Sequence, residues 1–164
     1  MTKPIPNGFY TITPHMIVSD GAKAIEFYKK AFGAQEIERF MTPDGKSVMH
    51  AQLKIGSSML MLGSEHPPTC LSPTSRGGTT VSLFLYVENA DAAFDRAVKA
   101  GCTVKMPMTD QFWGDRFGSV EDPFGHQWSI ATHKQDLTAD QISANAKTFF
   151  ANMAKKAAPE LVTA

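Results

Sequence analysis

The order of apolar and polar positions predicts a strand, a helix and three further strands in the first part of the chain. Residues 10–18 are rich in β-branched and aromatic side chains, which is typical of a strand. Asp20 and Gly33 are suited to cap a helix between them, and its apolar positions follow the helical period: Ala24, Ile25, Phe27, Tyr28 and Phe32. Strands are then predicted over residues 36–41, 47–55 and 59–63, separated by turn residues.

The same order of elements is predicted again after a stretch dominated by Pro, Ser, Thr and Gly. A strand over residues 80–87 precedes a helix over 90–100, which Gly101 ends, and strands follow at 103–106, 116–122 and 127–132. This weak repeat predicts two βαβββ modules, about residues 9–63 and 79–133, joined by a linker at 64–78. Each unit leaves one sheet face bare, so we expect both modules in one α+β domain spanning residues 1–164.

The residues around the last predicted hairpin concentrate large polar and aromatic groups. Asp122 and Pro123 precede Gly125, which is turn chemistry, and the strand that follows alternates between two faces. Trp128 and Ile130 are expected on one face and Ser129 on the other. Upstream, an aromatic residue, an acid and a base lie beside glycines: Trp113, Gly114, Asp115 and Arg116.

A further helix is predicted beyond the second module, over about residues 138–157. Thr138 and Gln141 have the spacing of a capping box, and Pro159 is expected to stop the helix. Its apolar side should dock on the body of the protein through Ile142, Ala146, Phe149, Phe150 and Met153. The tail from Pro159 is expected to fray.

Composition and charge exclude several classes of partner. The 164 residues are 43% apolar, and 16 basic residues balance 16 acidic ones, so nothing favours nucleic acid or an anionic membrane as partner. No apolar run approaches the roughly 18 residues that a membrane span requires, and the N-terminus resembles no secretion signal. We therefore expect a cytoplasmic protein in which Cys70 and Cys102 are reduced and unpaired.

Several motifs together resemble one protein family. They are Pro14-His15-Met16-Ile17-Val18, Ala24-Ile25-Glu26-Phe27-Tyr28 through Phe32-Gly33-Ala34, Val48-Met49-His50-Ala51-Gln52-Leu53, and Trp113-Gly114-Asp115-Arg116 leading into Asp122-Pro123-Phe124-Gly125-His126-Gln127-Trp128. This set resembles the PhnB-like branch of the vicinal-oxygen-chelate superfamily, which includes glyoxalase I, fosfomycin-resistance enzymes, extradiol dioxygenases and bleomycin-binding proteins. The resemblance implies two modules that form a cupped mixed sheet around a cavity, often completed by a second subunit. A homodimer is therefore expected, since closed two-fold symmetry is the commonest way to cover bare faces.

Metal-dependent members of the superfamily hold an ion through a His or Gln on the first strand and a Glu on the fourth strand of each module. Laid on this chain, the resemblance puts Thr13 and Ser82 at the first-strand positions, and Met61 and Ser129 at the fourth-strand positions. None of the four is a carboxylate or an imidazole, which hard divalent cations require. We expect no cofactor and no tightly bound metal at this position, although a divalent ion at an atypical site stays possible.

Strand alternation and the rim loop identify the candidate site residues. His15 and His50 are the candidate catalytic residues, because imidazole exchanges protons near pH 7. The candidate ligand-binding residues are Gln52, Met61, Phe84, Tyr86, Trp113, Arg116 and Ser129. Trp113 is expected to provide a stacking wall and Arg116 an anion contact. The alternatives are that both histidines are hydrogen-bonded structural residues, that Trp113 covers a core edge and that Arg116 pairs with Asp115.

Two functions follow from these residues. The first is a protein that binds a small organic molecule in an apolar cavity without turnover. The alternative is a lyase, isomerase or transferase that uses His15 or His50 as a general base, with or without a divalent metal. No Gly-x-Gly-x-x-Gly motif, P-loop or nucleophile elbow occurs, so nucleotide hydrolysis and serine-ester chemistry have no support.

Overall fold

The first half of the fold is a helix packed on one four-stranded mixed sheet. The computed structural model describes residues 2–157. Its first elements in chain order are β1 (His15–Val18), α1 (Gly21–Phe32), β2 (Gln35–Met41), β3 (Val48–Ile55) and β4 (Ser58–Ser64). The strands lie in the order β1-β4-β3-β2, with β1 parallel to β4 and the other pairs antiparallel.

The second half repeats this arrangement after a single helical turn, α2 (Pro73–Arg76). It consists of β5 (Ser82–Tyr86), α3 (Ala90–Ala100), β6 (Thr103–Asp110), β7 (Asp115–Glu121) and β8 (Gln127–His133), and is followed by α4 (Ala139–Ala157). The strand order is β5-β8-β7-β6, with β5 parallel to β8. The predicted α+β fold of two βαβββ modules with a C-terminal helix is confirmed.

Matching caps begin the two long helices of the modules. The Asp20 side chain accepts a hydrogen bond from the Lys23 amide at 3.0 Å, and the Asn89 side chain accepts one from the Ala92 amide at 3.0 Å. Gly33 closes α1 with a φ of 67°, a left-handed conformation that glycine adopts without steric cost. These local signals explain why the helix boundaries were predictable.

Two strands differ from the sequence-based expectation. β1 begins at His15 rather than at residue 10, because the Thr13 hydroxyl bonds back to the Tyr10 carbonyl at 3.0 Å and Pro14 has no amide hydrogen to donate. β6 continues to Asp110 although it contains Pro107. It is the edge strand of its sheet, where proline is tolerated, and its register with β7 shifts between Met106 and Thr109.

The predicted linker is held against the end of β4 by a partly buried hydrogen-bond network. One carboxylate oxygen of Glu65 accepts hydrogen bonds from the Ser72 amide at 3.0 Å, the Ser72 hydroxyl at 2.7 Å and the Ser75 hydroxyl at 2.7 Å. Ser72 is fully buried and caps α2. Serine and proline here therefore build a defined turn of helix in place of an irregular connection.

The two modules meet through α1, α3 and the β7–β8 hairpin. The Asp122 carboxylate accepts hydrogen bonds from the Tyr28 hydroxyl and the Trp128 indole, both at 2.8 Å, and from the amides of Phe124 and His126, both at 2.9 Å. Burial, and then the charge of Asp122, raise the pKa of Tyr28 well above its ordinary value, so the phenol keeps the proton that it donates. Aromatic packing of Phe32 on Trp128, with ring centroids 4.2 Å apart, completes the joint.

Helix α4 has the predicted capping box but only a small docking surface. The Thr138 amide donates to the Gln141 side chain at 2.8 Å, and the Gln141 amide donates to the Thr138 hydroxyl at 3.2 Å. The rings of Phe149 and Phe150 contact Phe112. Even so, Phe150 and Met153 remain 58% and 53% exposed. Docking is thus less extensive than expected, and Pro159 lies outside the described residues. No helix within residues 2–157 is long and apolar enough to cross a membrane.

Replacing Tyr28 by Phe tests the joint between the modules. The variant leaves the buried Asp122 carboxylate without one of its donors, so we expect the free energy of unfolding to fall by about 1–3 kcal/mol in a urea titration. Tyr10→Phe is the matched control, since Tyr10 is 65% exposed, and a change within about 0.5 kcal/mol is expected there. Equal losses in both variants would contradict this role for the Tyr28 hydroxyl.

Candidate functional site

The register of the first sheet places four predicted site residues on the face opposite α1. His15 pairs with Met61 across β1 and β4, and Gln52 pairs with Met61 across β4 and β3. His50 lies two residues from Gln52 on β3, and Phe40 of β2 pairs with His50. Because paired residues project from the same side of a sheet, these side chains form one surface, which we call the module 1 face.

The two histidines of the module 1 face are neighbours. The centroids of the His15 and His50 rings are 5.9 Å apart, and His50 stacks on Phe40 at 6.4 Å with an interplanar angle of 28°. Burial, and then the charge that His50 can carry, lower the pKa of His15 below its ordinary value of 6.5. His15 is therefore mainly neutral at pH 7 and can accept a proton.

A cavity of about 650 Å³ lies beside the His15 ring at one end of the module 1 face, and His50 and Met61 are not among its lining residues. Its wall includes His15, Ile17, Val48, Met49 and Gly63, and its rim includes Asp44 and His66. Gln52 lies beyond this cavity, where its amide donates to the Glu38 carboxylate at 3.1 Å. The volume lies in the range of small-molecule sites, which is roughly 300–1,000 Å³.

The corresponding face of the second sheet, the module 2 face, is largely aromatic. Phe84 pairs with Ser129 across β5 and β8, Tyr86 pairs with Ala131, and Phe117 pairs with Ala131 from β7. The rings of Phe84 and Tyr86 lie 4.9 Å apart and those of Phe84 and Phe117 lie 5.6 Å apart. This face has the chemistry to hold a planar organic group.

A buried carboxylate organises the end of the module 2 face, and the sequence did not predict it. Asp115, only 3% exposed, accepts hydrogen bonds from the Tyr86 hydroxyl and the Trp113 indole, both at 3.0 Å, and from His133 Nδ1 at 2.8 Å. Burial alone would raise the pKa of Asp115, but the bonds from His133, Tyr86 and Trp113 outweigh it and lower this pKa. Trp113 is thereby fixed at the rim of the face, with its ring 5.6 Å from Phe117.

His133 bridges two carboxylates at this cluster. Its Nδ1 donates to Asp115 at 2.8 Å and its Nε2 donates to Asp136 at 3.0 Å, an arrangement that requires both ring nitrogens to be protonated. The bond to Asp115, followed by the bond to Asp136, raises the pKa of His133. Asp115 and His133 are paired at the open end of the β7–β8 hairpin, and this register, which forms only with the sheet, leaves no local signal in the sequence.

Arg116 does not lie on the module 2 face. β7 begins at Asp115, so Asp115, Phe117 and Ser119 share the open face and Arg116 projects to the other side. There its guanidinium bonds Asp91 of α3 at 2.7 Å and Asp110 at 3.5 Å. The prediction that Arg116 contacts an anion in the cavity is therefore wrong. Arg116 instead forms an ion pair that joins β7 to α3.

Comparison with known proteins assigns the chain to a family. The profile of the Glyoxalase/Bleomycin resistance protein/Dioxygenase superfamily matches residues 11–130. The chain belongs to this superfamily. The uncharacterized protein Mb0911c of Mycobacterium bovis is 46% identical over 137 residues, which are 81% of this chain and 90% of that protein. Helix α4 lies beyond the matched range of the superfamily.

Solved structures agree with this assignment. The crystal structure of TioX from Micromonospora sp. ML1 is 26% identical, with a TM-score of 0.61 over 76% of this chain and 98% of that one. The putative 3-demethylubiquinone-9 3-methyltransferase, PhnB protein, from Bacillus cereus is 17% identical, with a TM-score of 0.58 over 75% and 99% of the two chains. The second likeness shows the shared fold alone.

The side chains at the superfamily's metal position do not fit a divalent ion. Thr13 precedes β1 and turns back on Tyr10, so the position opposite Met61 belongs to His15, and Ser129 is opposite Phe84. Ser129 shares a 3.1 Å hydrogen bond with Ser82. Within residues 2–157, no cluster of three or more His, Cys, Asp or Glu side chains is close enough to hold an ion. One imidazole with a thioether and hydroxyls lacks the carboxylates that such ions prefer.

The pair of histidines predicts a specific titration. By ¹H NMR, His15 should titrate below pH 6.5, and His50→Ala should raise its pKa by removing a neighbouring positive charge. The contribution of His15 to stability is accordingly present above pH 6.5 and is lost as the pH falls through its lowered pKa. His133→Gln, in the other module, serves as control and should leave the titration of His15 unchanged. An unchanged His15 pKa in His50→Ala would refute the coupling.

Proposed function

We propose that the protein is a member of the PhnB-like branch that binds a small organic molecule against the module 1 and module 2 faces, without the divalent metal of other superfamily members. One observation carries this proposal: the large side chains of both faces remain accessible, with Phe40 46%, Phe84 47% and Tyr86 64% exposed. Covering such surface contributes roughly 25 cal/mol per Å². A ligand or a second subunit that covers these rings is therefore stabilised.

The polar groups on these faces are few, as in small-molecule sites generally. Gln52 and the two histidines lie on the module 1 face, and Ser129 and the Asp115 cluster lie on the module 2 face. Such isolated polar groups orient a ligand whose main contacts are apolar. This division supports a ligand with an aromatic part and at least one hydrogen-bonding group.

The proposed assembly is a homodimer in which a second copy covers the open faces. No aromatic contact among the described residues joins the rings of the module 1 face to those of the module 2 face. Each face also carries accessible rings in the single chain, with Phe40 46% and Phe84 47% exposed, and a second subunit offers a complementary surface of the same kind. Members of the superfamily often dimerise, which supports this arrangement.

A catalytic alternative is supported by one feature of His15. Its lowered pKa leaves a neutral imidazole at pH 7, and His50 is adjacent. A neutral imidazole in a cavity can act as general base in a lyase, isomerase or transferase reaction. Turnover of a bound compound that is lost in His15→Gln would favour this alternative over simple binding.

The binding proposal is tested with a library of small aromatic compounds followed by ¹H–¹⁵N NMR. Compounds that bind should shift the amides of His50, Phe84 and Tyr86. His50→Ala should then weaken binding several-fold while changing stability by only about 1 kcal/mol, since a partly buried polar side chain outside the hydrophobic core fills little core volume. Arg116→Ala is the control and should leave the affinity unchanged, because Arg116 lies on the opposite face. Shifts confined to other surfaces would refute the proposal.

The dimer is tested by light scattering at micromolar concentration. The expected mass is twice the 17.9 kDa of one chain. Phe84→Asp places a charge on the module 2 face and should shift the population towards monomer, because an unpaired charge in an interface is costly. Ile5→Asp, at an exposed N-terminal position, should not. A monomeric wild-type protein would contradict the proposed assembly.

A further inference from the structure

A second cavity, of about 530 Å³, lies between the two modules, where β1 faces the segment that leads into β5. Its wall is mainly apolar and includes Met16, Ile17, Leu71, Pro73, Val81 and Leu83. The ionisable side chains among its lining residues are Arg76, His15 and His126, and none of the lining residues is Asp or Glu. In a chain whose acidic and basic residues balance, this cavity is biased towards positive charge.

Arg76 is held at this cavity by the network that fixes α2. It is the last residue of α2, and its amide donates to the Ser72 carbonyl at 3.0 Å. Ser72 is buried and anchored to Glu65, which itself is bonded to two serines of the same turn. The backbone that carries Arg76 is therefore ordered by contacts that do not involve its guanidinium.

Arg76 differs from the other three arginines in its side-chain contacts with the described part of the chain. Within residues 2–157, its guanidinium forms no hydrogen bond and no ion pair. Each of the others bonds an acceptor: Arg39 bonds Glu36, Arg96 bonds the Ala31 carbonyl and Arg116 bonds Asp91. Because a guanidinium presents five donors in a planar fork, Arg76 keeps its full capacity for a planar anion.

His126 adds a fixed polar group to the same wall. Its Nε2 donates to the Ile17 carbonyl at 3.0 Å, which holds the ring across the joint between the modules. The imidazole is thereby placed beside the apolar part of the cavity, and His15 lines the cavity as well. The wall thus combines an apolar floor with one cation and two imidazoles.

We propose that this cavity is a binding site for a small organic anion, with a carboxylate held by Arg76 and an apolar body lying against Leu71, Val81 and Leu83. Guanidinium and carboxylate form paired, charge-assisted hydrogen bonds, and the apolar wall contributes by removing the body of the ligand from water. The site lies at the joint between the modules, meets the module 1 face only at His15, and does not depend on the proposed function. It shares only His15 and Ile17 with the cavity on the module 1 face.

The probe is 2-naphthoate, compared with the neutral 2-naphthalenemethanol of nearly the same shape. We expect naphthoate to shift the ¹⁵N-resolved amides of residues 78–81 and to bind at least about tenfold more tightly than the alcohol. Raising the salt concentration should weaken naphthoate binding and leave the alcohol unaffected, since ionic attraction is screened. Equal affinities for the two probes would overturn the inference.

Two variants and a matched control locate the effect at Arg76. Arg76→Gln should abolish the preference for naphthoate, and Thr80→Glu should reduce it by bringing a carboxylate to the cavity wall. Lys46→Gln also removes one positive charge, from the exposed turn between β2 and β3, and should leave the preference for naphthoate unchanged. Unchanged naphthoate binding in Arg76→Gln, or shifts confined to His50, Phe84 and Tyr86, would refute this site while leaving the proposed function standing.

Discussion

The carboxylate of Asp122 is the interaction on which the rest of the structure depends. A buried anion is costly unless hydrogen bonds replace its water, and Asp122 receives four of them. Two donors are amides of its own hairpin, one is Trp128 of the same module, and one is Tyr28 of the other module. The bond from Tyr28 joins residues 94 positions apart in the chain. The Asp122 side chain therefore both stabilises its own hairpin and joins the two modules.

That joint determines which surfaces remain open. With the hairpin held against α1, the helices α1 and α3 pack on each other and cover one face of each sheet. The module 1 and module 2 faces then carry side chains that lie outside the hydrophobic core. These are the two histidines on the first face and the aromatic rings on the second. The cavity with Arg76 lies along the same joint, where β1 and β5 approach each other without pairing. The open faces and this cavity are therefore consequences of how the two modules are joined.

The local signals in the sequence were enough to predict the fold. They did not always predict the face of the sheet on which a side chain lies. Caps and hairpin turns involve residues only a few positions apart, and the repeat is an order of such local patterns along the chain, so all three are visible without tertiary information. The face of Arg116 depends on where β7 begins, and a shift of one residue moves every side chain to the opposite side. The Asp115 cluster depends on register between β5, β7 and β8, and that register forms only when the sheet does.

The repeat places different chemistry at equivalent positions of the two modules. His15 lies six residues before the start of α1 and Phe84 six residues before the start of α3, and each faces its fourth strand. A shared metal needs donors from both positions, and a phenyl ring supplies none. The same backbone therefore presents an imidazole in one module and a hydrophobic ring in the other. For the proposed ligand, this asymmetry would select one orientation, with the hydrogen-bonding group towards His15 and the apolar part towards Phe84.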